Sequence, residues 1–202
     1  MNVSKTFIIY HKIISTVTIT KTLMKSNFAK TIAEIVEVGI IGLVVIFFVY
    51  LFAGQPLRVT GDSMVPNFYD GEQIIAEKIS IKTGEIERGD IVIFKHPTYL
   101  DRLVIKRVVG LPNEKISLNG GRIYVDGREL IESYIPQNTS TKEGTVIMEN
   151  SEYEVPQDGY ILLGDNRENS TDSRNWGAIK RDLIVGKGFV IYYPLDKVRV
   201  IG

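Results

Sequence analysis

Leu103-Val104-Ile105-Lys106-Arg107-Val108-Val109 is the stretch on which the fold turns. It is short, aliphatic and β-branched, which suits a strand better than a helix. A side-chain period of two puts Val104, Lys106 and Val108 on one face, and Leu103, Ile105, Arg107 and Val109 on the other. Runs of the same kind recur around it: Gln73–Ala76, Asp90–Phe94, Arg122–Val125, Gly144–Met148, Gly159–Leu163 and Val185–Tyr193, with a strand-like Leu57-Arg58-Val59-Thr60 upstream. Turn signals separate them, among them Arg88-Gly89-Asp90, Asn119-Gly120-Gly121, Asp126-Gly127 and Pro156-Gln157-Asp158-Gly159. No segment beyond residue 54 sustains a 3.6-residue period. Residues 54–202 are therefore expected to form a mainly β domain, with at most a short helix near Lys180–Leu183. Within it, residues 114–131 read as a tight meander and Gln137–Gly144 as a loop.

Toward the amino terminus the pattern changes. Ile35 to Phe52 is an 18-residue stretch whose one charge is Glu37. At 1.5 Å per residue it reaches ~27 Å, enough to cross a thin hydrocarbon core with little tilt. A buried soluble helix is the alternative, but such a helix normally keeps a polar face and this one has none. A cleaved signal peptide would need a small-x-small site, for which Phe52-Ala53-Gly54-Gln55-Pro56 is poor. Residues 34–53 are thus expected to be an uncleaved transmembrane anchor. Before the anchor, residues 1–33 hold Lys5, Lys12, Lys21, Lys25 and Lys30 and no acid. This basic tail predicts a cytoplasmic amino terminus, a single pass through the cytoplasmic membrane, and an extracytoplasmic β domain. Met24-Lys25-Ser26-Asn27 would make a normal short start, so 1–23 are either outside the mature reading frame or a surface-lying cytoplasmic segment.

Lys and Arg number 24, as do Asp and Glu, and there is no cysteine. The balance gives no support for bulk electrostatic binding of nucleic acid. Missing cysteine excludes disulfides, thiolate metal sites and a cysteine nucleophile. His11 lies before the anchor, leaving His96 as the one histidine of the β domain, so a histidine metal cluster is not expected. No phosphate-binding or dinucleotide fingerprint occurs, and no cofactor is expected.

Three segments could carry chemistry. Gly61-Asp62-Ser63-Met64-Val65-Pro66 places a serine between a strand and a turn, where hydroxyl and backbone N–H groups can be presented together. Taken alone it is also an ordinary turn. A nucleophilic serine here needs a base other than a late histidine, because none follows His96. Lys106 is the candidate: flanked by valines on its face of a strand, it would be desolvated, and desolvation lowers an ammonium pKa toward neutrality. A strand lysine with a free head group is the competing reading. The third segment, Gly164-Asp165-Asn166-Arg167-Glu168-Asn169-Ser170-Thr171-Asp172-Ser173-Arg174, can satisfy many buried polar groups or form a solvated loop.

Taken in order, the anchor, Ser63-Met64-x-Pro66, Arg88-Gly89-Asp90-Ile91-Val92, Lys106-Arg107-Val108-Val109-Gly110-Leu111-Pro112 and Gly164–Arg174 resemble the type I signal peptidases, most of all the Gram-positive form. The resemblance runs from about Ala33 to Pro194. It implies a mainly β fold: a single transmembrane helix, an antiparallel β catalytic core and a smaller β insertion, here about 113–157. It further implies a membrane-bound serine endopeptidase acting on signal-peptide-bearing preproteins. Ser63 would be the nucleophile and Lys106 the general base, with Ser170 positioning the lysine. Asp165 with Arg107, and Asp172 with Arg174, would be supporting ion pairs. Gly61 and Asp62 would border the oxyanion site; Met64, Pro66 and Val104 would line the substrate subsites. The active site would face the bilayer, consistent with the 11 residues from Phe52 to Ser63, which span at most ~40 Å. Some positions depart from the family pattern. Val104 replaces a common tyrosine, Asn113-Glu114 replaces Gly-Asp, and Gly61 replaces a serine whose hydroxyl can join the oxyanion hole. An inactive tethered β module that binds exported proteins, and a peptidase dedicated to a few substrates, are the alternatives.

Overall fold

The computed structural model describes residues 28–47, 54–79, 81, 84 and 86–201. Met24 and the rest of the basic tail, together with residues 48–53 of the expected anchor, lie outside them. Residues 28–47 form one helix, with every residue exposed. Among the described residues no helix is long and apolar enough to cross a membrane.

The second unit is a β structure built on two antiparallel sheets. The larger runs β1 (Gln55–Arg58), β2 (Gln73–Glu77), β11 (Ile184–Tyr193), β3 (Ile91–Lys95), β4 (Leu103–Gly110), β9 (Gly159–Leu163) and β10 (Ile179–Lys180), with β12 (Arg199–Val200) also paired to β11. The smaller is ordered β7 (Arg128–Glu129), β6 (Arg122–Val125), β5 (Lys115–Asn119) and β8 (Glu152–Glu154), all of it within residues 113–157. Its two tight turns carry Gly120, Gly121, Asp126 and Gly127 at positive φ, the conformation that hairpin turns demand.

The opening stretch is β4, as its β-branched content requires. It sits between β3 and β9, with Lys106 opposite Val92 and Arg107 opposite both Ile91 and Leu163. Its alternation works as expected: Val108 and Val104 join a cluster with Val92, Phe94 and Leu162, while Ile105 packs with Met64, Ile74 and Ile93. Val109 contributes to a third cluster with Ile116, Ile147, Ile161 and Leu163, which joins the insertion to the main sheet.

The short helix expected near Lys180–Leu183 is a 3-10 helix, Arg181–Leu183. Two expectations need correction. Gly144–Met148 is not a strand but irregular chain; Ile147 is buried there as a single anchor in the third cluster, so one apolar contact accounts for what looked like a strand. A four-residue α-helix, Ser173–Trp176, was not foreseen; Asp172 caps it by accepting from the Arg174 N–H. Asn113, where a glycine is usual in the resembled family, takes φ 66°. Asparagine is among the few residues that tolerate this region, and neighbouring Glu114 accepts from Leu111 N–H and pairs with Arg88.

Candidate active site

The Ser63 turn is a closed loop. Val59 N–H donates to Glu72 O and Gly71 N–H to Val59 O, pinning its ends. At its apex Gly61 holds φ 82°, a conformation natural to glycine. The N–H groups of Asn67 and Phe68 both donate to Met64 O, giving one rigid turn after the serine. Met64 itself is 0% exposed and packs into the core beneath the loop.

Lys106 comes to this turn from β4. Its Nζ donates to Ser63 Oγ at 2.6 Å and to Ile105 O at 3.0 Å. The lysine is only 3% exposed. Burial lowers its pKa to about 8; Asp172 and Asp165 oppose the shift, and Arg174 adds to it. The hydroxyl and a readily deprotonated amine are therefore in direct contact, 43 residues apart in sequence.

The loop following β9 fastens the two elements. Asn166 donates through its backbone N–H to Ser63 O and through its side chain to Asp62 O. Asp165 receives Arg107 twice, Nε at 2.8 Å and Nη2 at 2.7 Å. Asp172 likewise receives Arg174 Nε and Nη2, each at 2.8 Å, and also the Gly164 N–H. Burial pushes the Asp172 carboxyl upward, but the Arg174 hydrogen bonds and charge outweigh it and hold the group below the usual carboxylate range. Gly164 leaves no room for a side chain: a Cβ there would lie 2.2 Å from Ser170 Oγ and 2.5 Å from Ser63 O.

Ser63 and Lys106 border a cleft of about 190 Å³ whose walls include Leu57, Ile74, Ile93, Val104 and Ile105. β1 lies at the edge of its sheet. β4 pairs with β9 from Arg107 onward, so the Leu103–Lys106 part of β4 keeps its second edge toward the cleft.

Most of the expected residues converge here, but not all as expected. Val104 lines the cleft, whereas Met64 and Pro66 do not. Gly61 does not offer its N–H to the site; it donates to Asp70 Oδ1 at 2.8 Å. The Ser63 N–H has no acceptor among the described residues. Ser170 Oγ is buried and makes no well-formed hydrogen bond, although it lies beside the Asp172 carboxylate; it does not bond Lys106. His96 is remote from this chemistry. Its Nδ1 accepts from the Thr98 and Tyr99 N–H groups, and its ring packs on Trp176 and Tyr99. Burial, with the Arg102 charge, lowers its pKa. Two sets of residues escaped the sequence reading: Asn67, and the Glu132–Tyr134–Thr141 group that surrounds Arg167. Nothing in their local sequence marks them, because Asn67 meets Asp165 98 residues away and Arg167 meets Glu132 and Thr141 35 and 26 residues away.

The site thus sets a serine hydroxyl against a desolvated lysine amine in an open cleft of an antiparallel β domain, a pairing chemically able to serve hydrolysis. Comparison with known proteins specifies the class. The family profile described as signal peptidase, peptidase S26 matches residues 32–193. Signal peptidase I P of Bacillus subtilis subsp. natto is 33% identical over 179 residues, covering 87% of this chain and 94% of that protein. Signal peptidase IB of Staphylococcus aureus (strain Mu50) is 34% identical over 168 residues, covering 78% and 87%. A crystal structure of a signal peptidase I from Enterococcus faecalis V583 is similar, with 28% identity, a TM-score of 0.41, and coverage of 50% of this chain and 95% of that one. The chain belongs to the signal peptidase family, peptidase S26, and is a type I signal peptidase by class.

Proposed function

We propose that this protein is a membrane-anchored serine endopeptidase that removes signal peptides from exported preproteins, with Ser63 as nucleophile and Lys106 as general base. The observation that carries the reading is the 2.6 Å contact between Ser63 Oγ and a lysine amine that is 3% exposed. When Lys106 is neutral, its lone pair accepts the Ser63 O–H. Oγ then attacks the scissile carbonyl as its proton passes to Nζ, and the resulting ammonium protonates the departing amine. The acyl-enzyme is hydrolysed by a water that Lys106, neutral again, deprotonates. The Ser63 N–H supplies one donor to the developing oxyanion.

The substrate would lie as an extended strand between the free edges of β1 and Leu103–Lys106. Main-chain hydrogen bonds would hold it, and the apolar wall of Leu57, Ile74, Ile93, Val104 and Ile105 would select small apolar side chains. Residues 34–53 would anchor the chain, with the basic tail on the cytoplasmic side and the β domain outside.

Ser63→Ala and Lys106→Ala are each expected to reduce preprotein processing by about a thousandfold or more, with the circular dichroism spectrum unchanged. An electrophilic signal-peptide mimic should label Ser63 in the parent enzyme. A label on another residue, or full processing by Lys106→Ala, would overturn the dyad.

A further inference from the structure

Asn67 follows Ser63 by one helical turn and sends its side chain across the site. Its Nδ2 donates to Asp165 Oδ2 at 2.8 Å and to the Tyr134 carbonyl at 2.7 Å, which uses both amide hydrogens. The same Asp165 carboxylate, 2% exposed, receives Arg107 in a bidentate pair, and Arg107 is the neighbour of Lys106 on β4. A continuous chain of bonds thus leads from the turn of the nucleophile, through Asn67, Asp165 and Arg107, to the strand of the base. The path is short and stiff at both ends. Asn67 N–H is fixed to Met64 O, and Arg107 is held by a further bond from Nη1 to Gly89 O.

We propose that Asn67 is a positioning residue, tying the Ser63 turn to the Lys106 strand through the Asp165–Arg107 pair and so setting the contact between hydroxyl and amine. The inference rests on the Ser63/Lys106 reading. A shift of about an ångström between reacting groups costs on the order of a hundredfold in rate, so a side chain that touches neither reactant can still govern turnover. Substrate binding in the cleft does not use Asn67, which is absent from its walls. Its loss should therefore appear in kcat and not in KM.

The experiment uses the full-length chain in detergent, with wild type, Asn67→Ala, Asn67→Asp and Ser63→Ala measured side by side on a signal-peptide substrate from pH 6 to 10. Asn67→Ala is expected to lower kcat about 10- to 100-fold, with KM within about twofold, per site counted by covalent labelling of Ser63. Asn67→Asp keeps the side-chain volume but adds a carboxylate beside Asp165. The charges that act on Lys106 are Asp172, Asp165 and Arg174, so a further anion should move the acid limb of kcat/KM to higher pH, a change that a merely loosened fold would not produce. Asn67→Asp carries the test should Asn67→Ala fail to fold. The proposal is overturned if Asn67→Ala keeps kcat per labelled site within threefold of wild type, or if Asn67→Asp leaves both kcat and the acid limb unmoved. Full activity in Ser63→Ala would instead strike the dyad, which separates the two failures.

Discussion

At Lys106 two demands compete. Burial disfavours the ammonium, and Arg174 adds to the effect, while Asp172 and Asp165 favour it; the balance leaves the pKa at about 8. The same balance couples activity to stability. Between about pH 8 and the ordinary lysine value of 10.5, the unfolded chain holds a proton that the folded chain has released, so stability rises with pH through that window and the burial penalty is felt in full below it. Catalysis follows the neutral fraction. kcat/KM is expected to fall about tenfold per pH unit below an apparent pKa of about 8. A profile measured at constant ionic strength that stayed flat from pH 6 to 9 would remove Lys106 from the role of base. Of this residue the sequence showed the strand, the flanking valines and hence the desolvation; the acids that hold the pKa near 8 instead of lower come from a loop more than fifty residues on, which strand periodicity cannot reveal.

The element that organises the site is the 164–174 loop, which has one face on the Ser63 turn and another on the insertion. Arg167, 1% exposed, donates to both carboxylate oxygens of Glu132 and to Thr141 Oγ1, and the Tyr134 hydroxyl also donates to Glu132. Arg107 lies over the Tyr134 ring at 4.1 Å. The insertion is thus a brace for the catalytic loop and not an independent appendage. Glu132→Ala would strand a fully buried guanidinium, for which the cost is about 3 kcal/mol or more, or roughly 6–12 °C in Tm for a chain of this size. A urea titration that moved by less than about 1 kcal/mol would show that Arg167 finds another partner. This is also the scale at which sequence reading succeeded and failed most clearly. β2, β3, β4, β6, β9 and β11 were legible because β-branched alternation and glycine turns are local signals. The strands β8 and β12 were missed since they are short and carry charged residues. The helix Ser173–Trp176 was missed because a single turn held by the Asp172 cap has no apolar period. Ser170 was read by resemblance alone as positioning Lys106; its hydroxyl lies beside Asp172, whose charge acts on that lysine.

For the molecule as a whole, the charge balance of the full sequence conceals two regions with different surfaces. The β unit keeps its apolar side chains in three buried clusters. On the helix of residues 28–47 the apolar side chains are exposed on every side: Ile35, Val38, Ile41, Leu43, Val45 and Ile46 are each more than half accessible. Together with Val36, Ile40, Val44 and Phe47, which are also exposed, they succeed one another at about 100° per residue all round the helix, so packing against one protein surface would still leave apolar area in water. Such continuous exposed apolar surface marks contact with lipid or protein, and the sequence that follows, Phe48-Val49-Tyr50-Leu51-Phe52-Ala53, carries no charge. A bilayer covers all faces at once. The full-length chain expressed in a bacterial host is therefore expected to remain in membranes washed with alkaline carbonate. Replacing Val44 and Val45 together by lysine places two charges near the middle of residues 34–53, where crossing a bilayer would cost roughly 2.5–3.5 kcal/mol each on the insertion scale. That variant should shift largely into the supernatant while retaining hydrolysis of a short peptide substrate, since neither residue lines the Ser63 cleft. Release of the unaltered chain by the carbonate wash would show that residues 34–53 do not anchor it, and the basic tail would then lose its bearing on orientation.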